Sequence, residues 1–338
     1  MATPLSGLIA ATLTPLDACG SLHLEVVPKM IDHLERQSIR GIYICGSTGE
    51  GLSLTVQERC DVAEAFIDAA RGRMTTIVHV GHNSLYEAKR LAEHAAICGA
   101  DMISATAPSY FKVTKVEVLV RSMAEIARSA PDLPFYYYHI PRLTGATLDM
   151  VHFVRAAGNA IPNFAGLKFT SPEIHEFRAC QEIDGGRYDA VWGMDEMLLS
   201  ALATGARAAI GSTYNIAGSL SAKLWNAFEA GDLPAAREHQ SRSAELIRVL
   251  LRFPFHATLK SVMARQGVDC GGCRLPLASL SPQEERELHG LLDGLGFDSE
   301  LSLSSPPVNG HFGENGAPHA AMAPPHLQHI SRSPSAGE

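Results

Sequence analysis

The feature that most constrains this chain is an alternation. A short, nearly continuous apolar run is followed by a longer amphipathic stretch, and the pair recurs eight times. The runs are Gly7–Leu16, Gly41–Gly46, Met74–Gly81, Asp101–Pro108, Pro134–Pro141, Phe164–Ser171, Tyr188–Gly193 and Arg207–Thr213. Strands covered on both faces lose the polar–apolar alternation of half-exposed strands and read as unbroken apolar runs. Between them, Thr55–Gly72 and Ser84–Gly99 carry the clearest helical patterns. Ser84 with Glu87 three places on forms a capping-box signature, and Gly72 and Gly99 mark helix ends.

Strands alternating with helices imply a parallel sheet with helical crossovers. Eight units fit a closed (β/α)8 TIM barrel, an α/β fold that uses about 250 residues. An open, doubly wound sheet is the alternative. Its dinucleotide fingerprint is missing, because Thr14-Pro15-Leu16-Asp17 has no Gly-rich phosphate loop. Beyond the eighth run, Leu220–Glu229, Pro234–Leu251, Ala257–Gln266 and Pro282–Leu295 read as additional C-terminal helices. The expected organisation is barrel strands and helices over 1–214, a final barrel helix and helical extension over 215–298, and a disordered C-terminal tail over 299–338. The tail is rich in Pro, Gly, Ser and His and poor in large apolar groups, too little to offset its ordering entropy. Its His311, His319, His326 and His329 are irregularly spaced and do not make a metal-site pattern.

Charge bears on partners. With 28 basic and 36 acidic residues the net charge is −8, which speaks against a nucleic-acid or anionic-membrane surface. No window is long and apolar enough for a membrane span, and Met1–Gly7 has no signal-peptide pattern, so a cytoplasmic location is expected. The seven cysteines, an odd number in a long chain, are expected as reduced thiols.

In a parallel barrel, side chains at the C-terminal strand ends face the active site. Lys168, in the apolar run Gly166-Leu167-Lys168-Phe169-Thr170, is costly there unless paired or neutral. Desolvation would lower its pKa and free the amine to attack a carbonyl, while the alternative is a strand-end lysine reaching solvent. Tyr138, in Tyr136-Tyr137-Tyr138-His139, could shuttle protons, whereas core packing explains at least one of the three tyrosines. Gly46-Ser47-Thr48-Gly49-Glu50 offers backbone N–H groups and hydroxyls to a carboxylate, although turns favour these residues anyway. Gly211-Ser212-Thr213 ends the eighth run on the same rim. Asp195 and Glu196, after Gly193, either accept from substrate hydroxyls or cap a helix. Cys270-Gly271-Gly272-Cys273 stands alone, without a second pair to complete a zinc site. His79 and His82 lack a third ligand, so no metal site is expected.

Taken together and in order, Gly46-Ser47-Thr48-Gly49-Glu50, Tyr138-His139-Ile140-Pro141, Gly166-Leu167-Lys168-Phe169-Thr170 and Gly211-Ser212-Thr213-Tyr214-Asn215 resemble the dihydrodipicolinate synthase/N-acetylneuraminate lyase family. The likeness spans about Pro4 to Phe297. Tyr138-His139-Ile140-Pro141 with Leu143-Thr144-Gly145, and Asp195-Glu196-Met197-Leu198, are similar to its N-acetylneuraminate lyase branch. Leu143 stands where the synthases place an arginine for a second carboxylate.

The resemblance implies a class I aldolase without metal or organic cofactor. Lys168 would form a covalent imine with the 2-oxo carbon, Ser47 and Thr48 would hold the carboxylate, and Tyr138 would move the proton. Thr170, Gly193, Asp195, Glu196 and Ser212 would contact the hydroxylated chain of a sialic acid. Tyr110 matches a tyrosine that joins the relay from a neighbouring subunit in part of the family, which implies a homotetramer. Action on 2-keto-3-deoxy sugar acids, a synthase-like condensation and a non-catalytic binding barrel are the competing readings.

Overall fold

The computed structural model describes residues 4–297. The expected tail over 299–338, with its four histidines, lies outside the described residues. Each of the eight apolar runs holds a strand: β1 (Gly7–Ala11), β2 (Gly41–Ile44), β3 (Thr75–His79), β4 (Met102–Thr106), β5 (Phe135–His139), β6 (Phe164–Phe169), β7 (Asp189–Trp192) and β8 (Ala208–Gly211). They form a closed barrel in sequence order, with β8 paired parallel to β1. Closure rules out the open sheet. Most runs outlast their strands at the C-terminal end, and those residues leave the ladder to build the loops of the barrel mouth. In the first run the ladder stops at Ala11, and Leu16 instead bridges Leu22.

The helices are α1 (Val27–Arg36), α2 (Val56–Ala70), α3 (Leu85–Cys98), α4 (Val116–Ala127), α5 (Pro141–Thr144), α6 (Met150–Ala160), α7 (Ile174–Gln181), α8 (Leu198–Ala203), α9 (Tyr214–Glu229), α10 (Leu233–Leu250), α11 (Phe255–Arg265) and α12 (Pro282–Gly294). Thr55 and Glu58 make a reciprocal capping box at the start of α2. Ser84 caps α3 by accepting the Glu87 N–H, one half of the reciprocal pair its sequence suggests. The helix expected from Leu220 already begins at Tyr214, with a kink at Ala217. The polar Ser212, Thr213 and Asn215 interrupt the apolar rhythm there, which hides this start. Among the described residues no helix is long and apolar enough to cross a membrane.

Strand alternation sorts side chains into two apolar cores. The larger lies between strands and helices and takes Tyr137, Leu167 and Phe169. The smaller fills the barrel and takes Ile9, Tyr43, Ile77, Tyr136, Tyr138 and Val191. Of the three consecutive tyrosines, Tyr137 therefore packs outward on Phe153 at 4.5 Å, while its neighbours point inward. Tyr136 closes the N-terminal end by donating to Asp189 at 2.9 Å, a carboxylate that also accepts the Leu5 N–H and pairs with Arg207. Tyr138, two residues on, is left for the mouth.

Candidate active site

Lys168 shares the inward parity of Tyr138 and is its Cα partner across β5 and β6. It is 5% exposed, so the strand-end route to solvent is closed to it. Its Nζ stands 4.2 Å from the Tyr138 ring centroid and 4.3 Å from that of Tyr43. The two rings meet edge to face at 5.6 Å, and His79 stands edge-on to Tyr138 at 5.9 Å. The amine thus sits in an aromatic clamp. Burial pushes its pKa down to about 7, and the Asp195 carboxylate opposes that shift. An amine in this state is neutral in a substantial fraction at neutral pH, the condition for attack on a carbonyl.

Tyr138 is also buried. Burial raises its pKa, while the hydroxyls of Ser47 and Thr170 work the other way. Its phenol is therefore protonated at rest and faces two hydroxyls, an arrangement that can pass a proton in either direction. His79 is buried and its pKa lies well below the ordinary imidazole value through desolvation. One ring nitrogen faces the Cys45 carbonyl at 3.2 Å and the other accepts the Thr106 N–H at 3.3 Å. His82 accepts the Ser84 N–H instead, so the two histidines serve separate turns.

The rim brings further expected residues together. Thr48 and Ser212, from the loops after β2 and β8, share a 2.6 Å hydroxyl contact. Asp195 is buried and accepts the Thr213 N–H at 2.8 Å and the Thr213 hydroxyl at 2.6 Å. It does not cap its own turn, whose N-cap position is Met194; it ties the end of β7 to the end of β8. Burial pushes its carboxyl up to about 6 against those two hydrogen bonds. Glu196 is exposed beside it, and Thr170 and Gly193 are half-buried. Gly193 is required by close approach, because a Cβ there would fall 2.0 Å from the Thr170 Oγ1.

Tyr110 is not part of this buried group. It is 77% exposed on the loop after β4, edge-on to Phe111 at 5.0 Å. Glu50 turns away from chemistry too, into a buried ion pair with Lys260. Cys270 and Cys273 are free thiols, and burial pushes them up to about 12 and about 11, so both are poor nucleophiles. Among the described residues one His/Cys/carboxylate trio, Glu64, His94 and Cys98, has ligand atoms within 4.8 Å of one another. It sits on α2 and α3, not on the strands.

Sequence reasoning missed Tyr43, and it placed Thr213 on the rim without giving it a role. Tyr43 reads as core in its apolar run, and only the barrel gives it inward parity in β2 between outward Ile42 and Ile44. Nothing in the sequence pairs Thr213 with Asp195, because their bond joins two loops whose approach only the closed barrel creates.

A buried lysine amine with its pKa brought down to about 7 beside a phenol, with a hydroxyl-rich rim, is equipped for imine chemistry on an oxo acid. The chain is 44% identical over 279 residues to N-acetylneuraminate lyase of Xenopus tropicalis, covering 81% of this chain and 91% of that one. It is 38% identical over 309 residues to that of Mus musculus, covering 90% and 95%. The solved N-acetylneuraminate lyase of Proteus mirabilis superposes with a TM-score of 0.85 at 37% identity, covering 87% of this chain and all of that one. Residues 4–294 match the Dihydrodipicolinate synthetase family, and the chain belongs to that family.

Proposed function

We propose that the protein is a carbon–carbon lyase that cleaves N-acetylneuraminate to N-acetylmannosamine and pyruvate through an imine on Lys168. The observation that carries the chemistry is the buried Lys168 amine, brought down to about 7 and clamped by Tyr43 and Tyr138. What supports the substrate is the similarity to N-acetylneuraminate lyases over most of the chain.

The Lys168 amine attacks the 2-oxo carbon of the open-chain sugar acid, and water leaves as the imine forms. Ser47 and Thr48 hold the adjacent carboxylate through backbone N–H groups and hydroxyls. Tyr138 relays the proton of the C4 hydroxyl as the C3–C4 bond breaks, and the electron pair enters the imine to give an enamine. N-acetylmannosamine departs. Tyr138 then returns a proton to C3, and water hydrolyses the pyruvate imine to restore the amine. Thr170, Gly193, Asp195, Glu196 and Ser212 line the rim toward the sugar hydroxyls. No metal or organic cofactor takes part in this scheme.

The reading also has the protein work as a cytoplasmic homotetramer in which Tyr110 reaches a neighbouring site. Exposed Leu52, Tyr110 and Phe111, on the loops after β2 and β4, are surface that a subunit contact would cover. Seven free cysteines suit a reducing compartment.

Pyruvate release from N-acetylneuraminate and from 2-keto-3-deoxygluconate tests the substrate. Turnover is expected on the first at a kcat/KM at least about tenfold higher, the scale of one or two well-placed polar contacts. A preference for the second would overturn the assignment.

A further inference from the structure

Helix α11 follows the barrel strands, yet it reaches the loop after β2 at two places. His256 donates its Nε2–H to the Ser47 carbonyl at 2.9 Å. One turn later on the same face, Lys260 Nζ lies 2.7 Å from Glu50 Oε1, with both side chains 1% exposed. The other Glu50 oxygen accepts the Arg274 N–H at 3.0 Å, and Lys260 also donates to the Gly272 carbonyl. Arg274 then forks onto Glu58, the capping-box residue at the start of α2.

Two backbone details show how firmly this region is set. Glu50 has a φ of 55°, a left-handed conformation that a residue with a Cβ keeps only where its surroundings impose it. Gly271 has a φ of +67°, and a Cβ there would fall 1.9 Å from the Leu16 carbonyl. The Cys270–Cys273 segment is thereby explained as packing. It lies against the turn after β1, with the Leu16 N–H donated to the Cys270 carbonyl at 3.0 Å.

A buried ion pair adds little net stability over an apolar pair of the same size. Its effect here is geometric, since it fixes one end of a short loop while His256 fixes the other. A cradle of backbone N–H groups and hydroxyls binds a carboxylate well only if it is held in shape before the ligand arrives. We propose that His256 and Lys260 are positioning residues that preset the Ser47–Thr48 cradle for the carboxylate of the oxo acid, acting through the Ser47 carbonyl and the Glu50 carboxylate. The proposal rests on the reading of that loop as the carboxylate subsite. It gives the helical extension a direct part in substrate affinity.

The test compares His256→Phe with His256→Gln in the full-length protein. Three quantities are read: KM and kcat for N-acetylneuraminate, and the pyruvate concentration that half-saturates borohydride trapping at Lys168. His256→Phe is expected to raise KM and the half-saturating pyruvate concentration about threefold to tenfold, the scale of one hydrogen bond, with kcat kept within about twofold. His256→Gln retains an N–H donor and is expected to recover most of the loss. Lys260→Met alone leaves Glu50 buried without its partner and is expected to fold poorly. The double variant Glu50→Gln/Lys260→Met removes both charges and is expected to fold with the same KM-weighted defect. Unchanged half-saturation in His256→Phe and in the double variant would overturn the proposal while trapping at Lys168 still stood. A loss confined to kcat, or a Gln variant as impaired as the Phe variant, would also overturn it. Absence of trapping in the wild type would instead contradict the imine reading itself.

Discussion

Lys168 and Tyr138 are partners across adjacent strands, and the lysine Nζ rests 4.2 Å from the centre of the tyrosine ring. The amine therefore leans on aromatic faces, with Asp195 as the carboxylate that acts on it electrostatically. A ring face stabilises an ammonium far less than water does, so burial wins and the neutral amine becomes accessible near pH 7.

That arrangement costs stability, with a definite pH signature. Lys168 has a folded pKa of about 7 against 10.5 for a free lysine. Below pH 7 the amine is charged in both states and the full penalty of burying it applies. As pH rises above 7 the folded form sheds its proton first, and the penalty fades until both states are neutral. Lys168→Met is therefore expected to stabilise the fold by on the order of 5 kcal/mol at pH 6, with most of the gain gone by about pH 10. Urea denaturation across this range checks it, and a gain that grows with pH would contradict the sign.

Tyr138→Phe separates binding from proton transfer. The ring that packs on Lys168 is kept and only the hydroxyl facing Ser47 and Thr170 is lost. Steady-state kinetics are expected to show kcat lower by about 10²- to 10⁴-fold. Trapping of pyruvate at Lys168 should persist, because imine formation does not need that hydroxyl in this scheme. A variant with normal kcat would remove Tyr138 from the chemistry.

Asp195→Asn tests the electrostatic link. The Asp195 carboxylate raises the Lys168 pKa, so removing its charge lowers that pKa further. The rising limb of kcat/KM is expected near pH 7 in the wild type and at lower pH in the variant. A limb that stays in place would show that burial alone sets the lysine.

How far the chain could be read in advance follows from how local each signal is. Strands covered on both faces write their burial into consecutive residues, so all eight were visible, and Lys168 stood out as a polar break in such a run. Tyr43 was not visible as part of the site, because a tyrosine in an apolar strand looks like core. Asp195 was legible as a rim carboxylate, but its partner Thr213 comes from the next loop and meets it only through barrel packing. Lys260 was the least legible. A lysine in a C-terminal amphipathic helix reads as a solvated charge, and only the fold brings it 2.7 Å from Glu50, far back in the sequence.

The most direct test of the central claim is reduction with borohydride in the presence of pyruvate, followed by peptide mass mapping of the wild-type protein. A single pyruvate-derived adduct is expected on the peptide containing Lys168, absent when Lys168 is replaced by methionine. No adduct, or an adduct on a different lysine, would contradict it.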